Sequence, residues 1–175
     1  MPKNRGDGSD SRQQDVSSEV ELEIEILGAE ARHASGGGSF PREAAGRTPR
    51  ILVVDHDARV RSYVRRCLEE RAGGATEVME ARTGLEALRI ALASGVGLVI
   101  CDAAISVDGQ DLVSRLRVDP ELARVPVLLT TAESVGRAER ERVEDMAAVR
   151  LLEKPFNARK LRDAVEGLLA EGGRG

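Results

Sequence analysis

Apolar and polar positions change character at Arg50. Beyond it, short unbroken aliphatic runs recur at Ile51–Val54, Gly97–Cys101 and Val125–Leu129. Runs of that length without polar alternation predict strands buried on both faces, as parallel strands are. Two weaker runs, Thr76–Glu80 and Val149–Leu152, predict two more. Between the runs apolar residues fall at helical spacing. Val60, Val64, Cys67 and Leu68 mark a helix over 58–71, broken by Gly73-Gly74. Leu85, Leu88 and Leu92 mark one over 84–93. Leu112, Val113 and Leu116 mark a third, stopped at Asp119-Pro120. A highly charged, largely exposed helix is expected from Glu133 to Met146. Leu161, Val165, Leu168 and Leu169 mark the last, with Asn157 as its cap. Five strands alternating with five helices predict an α/β fold: a doubly wound five-stranded parallel sheet, right-handed crossovers and helices on both faces.

Residues 1–49 follow another pattern. They are rich in Gly, Ser, Asp and Arg, and Gly36-Gly37-Gly38-Ser39 is a flexible linker. Most of this extension is expected to be disordered. One island, residues 19–27, alternates acid and aliphatic with a period of two, the pattern of a strand with one charged face. A lone strand is unstable, so the island is a candidate to pair with a sheet edge of this or another protein. The bland alternative is an acidic disordered tail. The folded unit is expected over 50–170, with a frayed tail over 171–175.

Composition narrows the chemistry. Apolar residues make up 41% of the 175 positions, enough for a core, but aromatics only 2%, so the core is aliphatic. Net charge is −4 with both signs interspersed. That argues against direct nucleic-acid binding, which needs a basic patch or stacking rings. Cys67 and Cys101 fall at apolar positions and read as buried reduced thiols of a cytoplasmic protein. No signal peptide or membrane-spanning run is recognisable.

In an open parallel sheet, ligands bind beyond the carboxyl ends of the strands. The residues at those ends are Asp55, His56, Asp57, Asp102, Thr131 and Lys154. Acids, a hydroxyl and a lysine on one rim suit phosphoryl chemistry. Asp102 is a candidate nucleophile, Lys154 a partner for a phosphoryl oxygen, Thr131 a hydrogen-bond donor. A divalent cation between carboxylates would offset the incoming charge. The alternative is a solvated rim with a local lysine–aspartate pair. A nucleotide or flavin site is disfavoured because the turn after the first strand, Asp55–Arg59, has no glycine for close approach to phosphate.

Residues from Arg50 to about Leu169 resemble the receiver domain of two-component response regulators. The resemblance rests on Ile51–Asp57, Leu98–Asp102, Pro126–Ala132 and Lys154-Pro155-Phe156 together. It implies a flavodoxin-like strand order 2-1-3-4-5. It makes Asp102 the phosphoacceptor, Thr131 the switch hydroxyl and Lys154 the phosphate-pairing lysine, with a cis bond before Pro155. It implies Mg2+ held by Asp55, Asp102, the Ala104 backbone carbonyl and the residue at position 56. The implied donor is a sensor histidine kinase or phosphotransfer protein, and the implied output is a downstream protein target.

Three positions depart from the family. His56 stands where a second acid is usual, and imidazole is a poor Mg2+ ligand, so binding of the ion is expected to be weakened or altered. The loop Ala103–Gly109 is about one residue short and has Ser106 in place of a proline. Leu151 replaces the aromatic that reports phosphorylation. Two readings follow: a phosphorylatable receiver with altered metal binding, or a pseudo-receiver kept as a phosphorylation-independent binding module. Neither implies catalysis beyond self-phosphorylation and dephosphorylation at Asp102. With no effector-sized segment after the last helix in this sequence, output through protein contacts is expected. The fourth helix and fifth strand are a candidate homodimer surface.

Overall fold

Parallel strands buried on both faces need apolar residues on consecutive positions, and the three inner strands of the sheet are built from such segments. A computed structural model describes residues 49–70, 76–132, 140–141, 143 and 145–172. The elements are β1 (Arg50–Val54), α1 (Ala58–Glu69), β2 (Glu77–Ala81), α2 (Gly84–Ser94), β3 (Leu98–Asp102), β4 (Ser106–Val107), β5 (Gln110–Asp111), α3 (Leu112–Val118), β6 (Val127–Thr131), β7 (Val149–Glu153) and α4 (Ala158–Gly172). The main sheet has the order β2-β1-β3-β6-β7, every neighbouring pair parallel. Counting only its five strands, that order is 2-1-3-4-5, as expected. Residues 140, 141 and 143 are helical. Of the helix expected over 133–146, Asp145 and Met146 are not helical, and residues 133–139, 142 and 144 lie outside the described residues, as do the Gly73-Gly74 break, the candidate strand at 19–27 and residues 173–175.

Side chains alternate across the sheet and divide the core in two. Leu52, Val54, Val99, Cys101 and Val127 pack beneath α2 and α3. Ile51, Val53, Leu98, Ile100 and Leu128 pack beneath α1 and α4. Both cysteines are free and buried. Burial pushes the Cys101 thiol up to about 12, with the charges of Asp102, Asp111 and Asp55 adding to the effect, so it is protonated at neutral pH.

Caps set the helix starts. Asp57 Oδ1 accepts from the Arg59 amide at 2.8 Å and begins α1. Thr83 caps α2, its Oγ1 accepting from Glu86 N, and Glu86 Oε2 accepts from the amide of Arg82, the residue before the cap. Asn157 Oδ1 accepts from Lys160 N, as its position predicts.

Four expectations shift. Residues 103–109 are not simply a loop: Asp108 and Gly109 both take positive φ and close the β4–β5 hairpin. In α2 the inward side is Gly84, Ala87, Leu88, Ala91 and Leu92, while Leu85 is only half-buried. The second strand begins at Glu77 and ends at Ala81. The last helix runs through Gly172 rather than fraying from 171, and the Glu171 carboxylate takes the Arg150 guanidinium from β7. No helix among the described residues is long and apolar enough to cross a membrane.

Candidate functional site

Three strand ends converge because β1, β3 and β7 run in the same direction and finish at the same edge of the sheet. Asp55 follows the last residue of β1, Asp102 ends β3, and Lys154 follows β7. The Lys154 ammonium donates to Asp102 Oδ2 at 2.5 Å and to Asp55 Oδ2 at 2.7 Å. The second oxygen of each carboxylate is held by the amide two residues on. Asp57 N donates to Asp55 Oδ1, and Ala104 N to Asp102 Oδ1, both at 2.8 Å. Each aspartate thus forms an Asx-turn that aims one oxygen at a shared cation and ties the other to its own loop.

Burial makes the arrangement electrostatically consequential. Asp55 is buried, and the side chains of Asp102 and Lys154 are 15% and 20% exposed. Burial alone would lower the Lys154 pKa. The hydrogen bonds it donates to Asp102 and Asp55 outweigh burial, with their charges adding, so the ammonium is held above its ordinary value and is charged at neutral pH.

Thr131 ends β6 and is buried. Its carbonyl accepts from the Lys154 amide at 2.7 Å, which ties the β6 end to the residue that carries the ammonium. The Lys154-Pro155 bond is cis, as expected. Its neighbour Thr130 turns its hydroxyl to the Cys101 carbonyl.

The two residues after Asp55 are used differently. His56 is exposed. Asp57 caps α1 with one carboxylate oxygen, so its sequence proximity to Asp55 serves the helix start. Among the described residues, no three His, Cys, Asp or Glu side chains assemble into a metal cage. The carboxylates that meet are Asp55 and Asp102, hard oxygen donors arranged around one cationic centre. That set fits Mg2+, which usually takes one or two carboxylates and keeps several waters.

Arg61 was not among the residues singled out from sequence. Its Nη1 donates to the carbonyl of Asp55 at 2.7 Å and more weakly to that of His56 at 3.4 Å, and its Nε meets Glu80 Oε2 at 3.2 Å. Arg65 Nε meets the other Glu80 oxygen at 2.6 Å. The loop carrying Asp55 is thereby tied to α1 and β2. An arginine one turn into a helix looks like an ordinary surface residue, and only the strand pairing that places Glu80 beside it reveals the clamp. The Asp57 cap did carry a signal, an Asp immediately before a helix start.

Sequence and fold both match known proteins. Residues 51–166 match the response regulator receiver domain family. The chain belongs to that family, whose place is in two-component phosphorelay signalling. Chemotaxis protein CheY-3 of Vibrio cholerae is 31% identical over 121 residues, covering 67% of this chain and 88% of that protein. Sensor histidine kinase TmoS of Ectopseudomonas mendocina is 28% identical over 138 residues, 78% of this chain but 14% of that protein. A probable transcriptional regulator, ycf29, of Pyropia yezoensis is 27% identical over 122 residues, 69% of this chain and 53% of that protein. The chain thus spans about half or less of two of these relatives. A putative response regulator from Chloroflexus aurantiacus superposes with a TM-score of 0.59 at 30% identity, covering 70% of this chain and 98% of that one. A response regulator from Desulfuromonas acetoxidans superposes at 0.62 with 21% identity, covering 70% and 97%, and shows the shared fold.

Proposed function

We propose that the chain is a receiver that accepts a phosphoryl group on Asp102 and signals through protein contacts. The observation that carries this reading is the shared Lys154 ammonium, 2.5 Å from Asp102 and 2.7 Å from Asp55. A cation fixed at a strand end beside a partly buried carboxylate is the arrangement that phosphoryl transfer onto that carboxylate needs.

The donor is a phosphorylated imidazole on a sensor histidine kinase or phosphotransfer protein. A carboxylate oxygen of Asp102 forms a bond to phosphorus as the P–N bond breaks. The bonding pair leaves with the imidazole, which takes a proton from solvent. The product is an acyl phosphate on Asp102. Lys154, already charged and poised on the reacting carboxylate, follows the charge onto a phosphoryl oxygen. The Thr131 hydroxyl donates to another, and the Ala104 amide steadies Asp102 through the transfer. Mg2+ held by Asp55, Asp102 and the Ala104 carbonyl would offset the negative charge gathered there. His56 contributes no carboxylate, so the ion would be held more weakly than by three acids. The protein acts in the cytoplasm, where such donors are made.

One observation favours the competing reading, a phosphorylation-independent binding module. With Asp57 used as a helix cap and His56 exposed, two acids remain where the family has three. Incubation with phosphoramidate and Mg2+, followed by intact-mass measurement, separates the readings. A phosphoryl adduct on the wild type, absent in Asp102→Asn, supports the receiver. No adduct at any Mg2+ concentration, with uptake restored in His56→Asp, establishes the module.

A further inference from the structure

Val118 is the one large aliphatic side chain exposed among the described residues, at 73%. It ends α3 beside a cleft of about 150 Å³ between α2 and α3. The aliphatic wall is Leu88, Leu92, Val118, Pro120 and Leu122, and the two charged members, Arg115 and Asp119, have opposite signs. The cleft is therefore an apolar seat without an electrostatic preference. It lies on the opposite side of the sheet from α1 and α4, at the C-terminal end of α2, and neither Asp102 nor Lys154 lines it.

The path of the chain brings an occupant to this place. Arg50 Nη1 donates to the Ser94 carbonyl at the last residue of α2, and the Gly97 amide donates to the Arg50 carbonyl at 2.8 Å. The chain therefore enters the fold beside the end of α2 that carries Leu92. Forty-eight residues precede the first described one. Within them Val20, Leu22, Ile24 and Ile26 alternate with Glu19, Glu21, Glu23 and Glu25. Residues 28–49, which include Gly36-Gly37-Gly38-Ser39, form the tether. A Gly-rich coil of that length spans roughly 25 Å, more than the ~16 Å length of an eleven-residue helix. Tethering of this kind supplies an effective concentration in the millimolar range, so a small apolar contact suffices.

We propose that residues 20–27 of the same chain dock in the α2–α3 cleft. Their aliphatic positions cover Val118, and their glutamates face water. The N-terminal extension is then an intramolecular cover for one face of the receiver, and this holds whether or not Asp102 is phosphorylated.

Hydrogen exchange of the full chain, read by mass spectrometry, tests this. Residues 20–27 should exchange at least about tenfold more slowly than an unstructured peptide. Val118→Asp and, separately, Ile24→Asp should each restore the unstructured rate. Because Val118 is exposed, its substitution leaves the core intact, which protection of the β1 and β3 amides verifies. Ile24 precedes the segment that matches the receiver family, residues 51–166. Unprotected exchange in the wild type would overturn the proposal. So would protection that survives Val118→Asp, which places the segment elsewhere, or protection that fades on tenfold dilution, which makes the occupant a second copy.

Discussion

Lys154 and Asp102 lie 52 positions apart in sequence and meet at 2.5 Å, with Asp55 completing the contact from a third strand. The ammonium neutralises two partly buried carboxylates that would otherwise repel each other. Lys154→Met leaves them uncompensated, which should lower stability by about 1–3 kcal/mol in urea unfolding. Asp55→Asn in the Lys154→Met background should recover part of that loss, since it removes one of the facing charges. Phosphoryl uptake should fall at least about tenfold in Lys154→Met, because the missing cation acts on the charge of the transferring group.

Arg61 clamps the loop that presents Asp55. Arg61→Ala should cost about 1–2 kcal/mol in unfolding free energy for the lost carbonyl and Glu80 bonds. Uptake of phosphoryl groups should also require more Mg2+, because Asp55 loses its fixed direction. Arg61→Lys should restore little of either, since one ammonium cannot reach two carbonyls and Glu80 as the guanidinium fork does.

Glu80 gives the fold an acid-sensitive tie. The Arg65 hydrogen bond is the largest influence on its carboxyl, burial opposes it, and Arg61 adds to it, leaving the pKa below the ordinary 4.5. A depressed carboxyl stabilises the fold above its ordinary value and loses that contribution as pH falls through the lowered one. Urea midpoints should therefore drop below pH 4.5 in the wild type and drop less in Glu80→Gln, which should already be less stable at pH 7. Lys154 behaves oppositely: its raised pKa contributes stability below 10.5 that is lost as pH rises through the raised value.

Gly84 allows α2 to start against the β4–β5 hairpin. A Cβ there would lie 2.4 Å from Val107 Cγ2 and 2.7 Å from the Ser106 carbonyl oxygen. A backbone oxygen cannot rotate away, so Gly84→Ala should displace the hairpin next to Asp102. We expect a loss of about 1–3 kcal/mol in urea unfolding, despite the better helix propensity of alanine.

The strands and the rim were legible because both follow from local pattern. Ile51–Val54 and Leu98–Cys101 are unbroken aliphatic runs, and a parallel sheet must bring their carboxyl ends, with Asp55 and Asp102, to one edge. The hairpin at 106–111 is too short for periodicity to reveal, although Asp108-Gly109 is a turn pair that permits it. Leu85 was misplaced because small residues, Gly84 and Ala87, take the close contacts with the sheet and its hairpin, which a count of leucines overlooks. The clamp of Arg61 on Asp55 was illegible because it depends on Glu80 from a strand 19 residues further on. The half-burial of Leu151 on β7 likewise reflects an edge strand, which the Val149–Leu152 run alone does not disclose.

Reductive trapping of the phosphorylated chain tests the central claim most directly. Borohydride converts an aspartyl phosphate to homoserine, which peptide mapping locates. After incubation with phosphoramidate and Mg2+, homoserine should appear at position 102 and nowhere else. Homoserine at Asp55 or Asp57, or none at position 102 in a chain that gained a phosphoryl mass, would contradict the assignment of Asp102 as the acceptor.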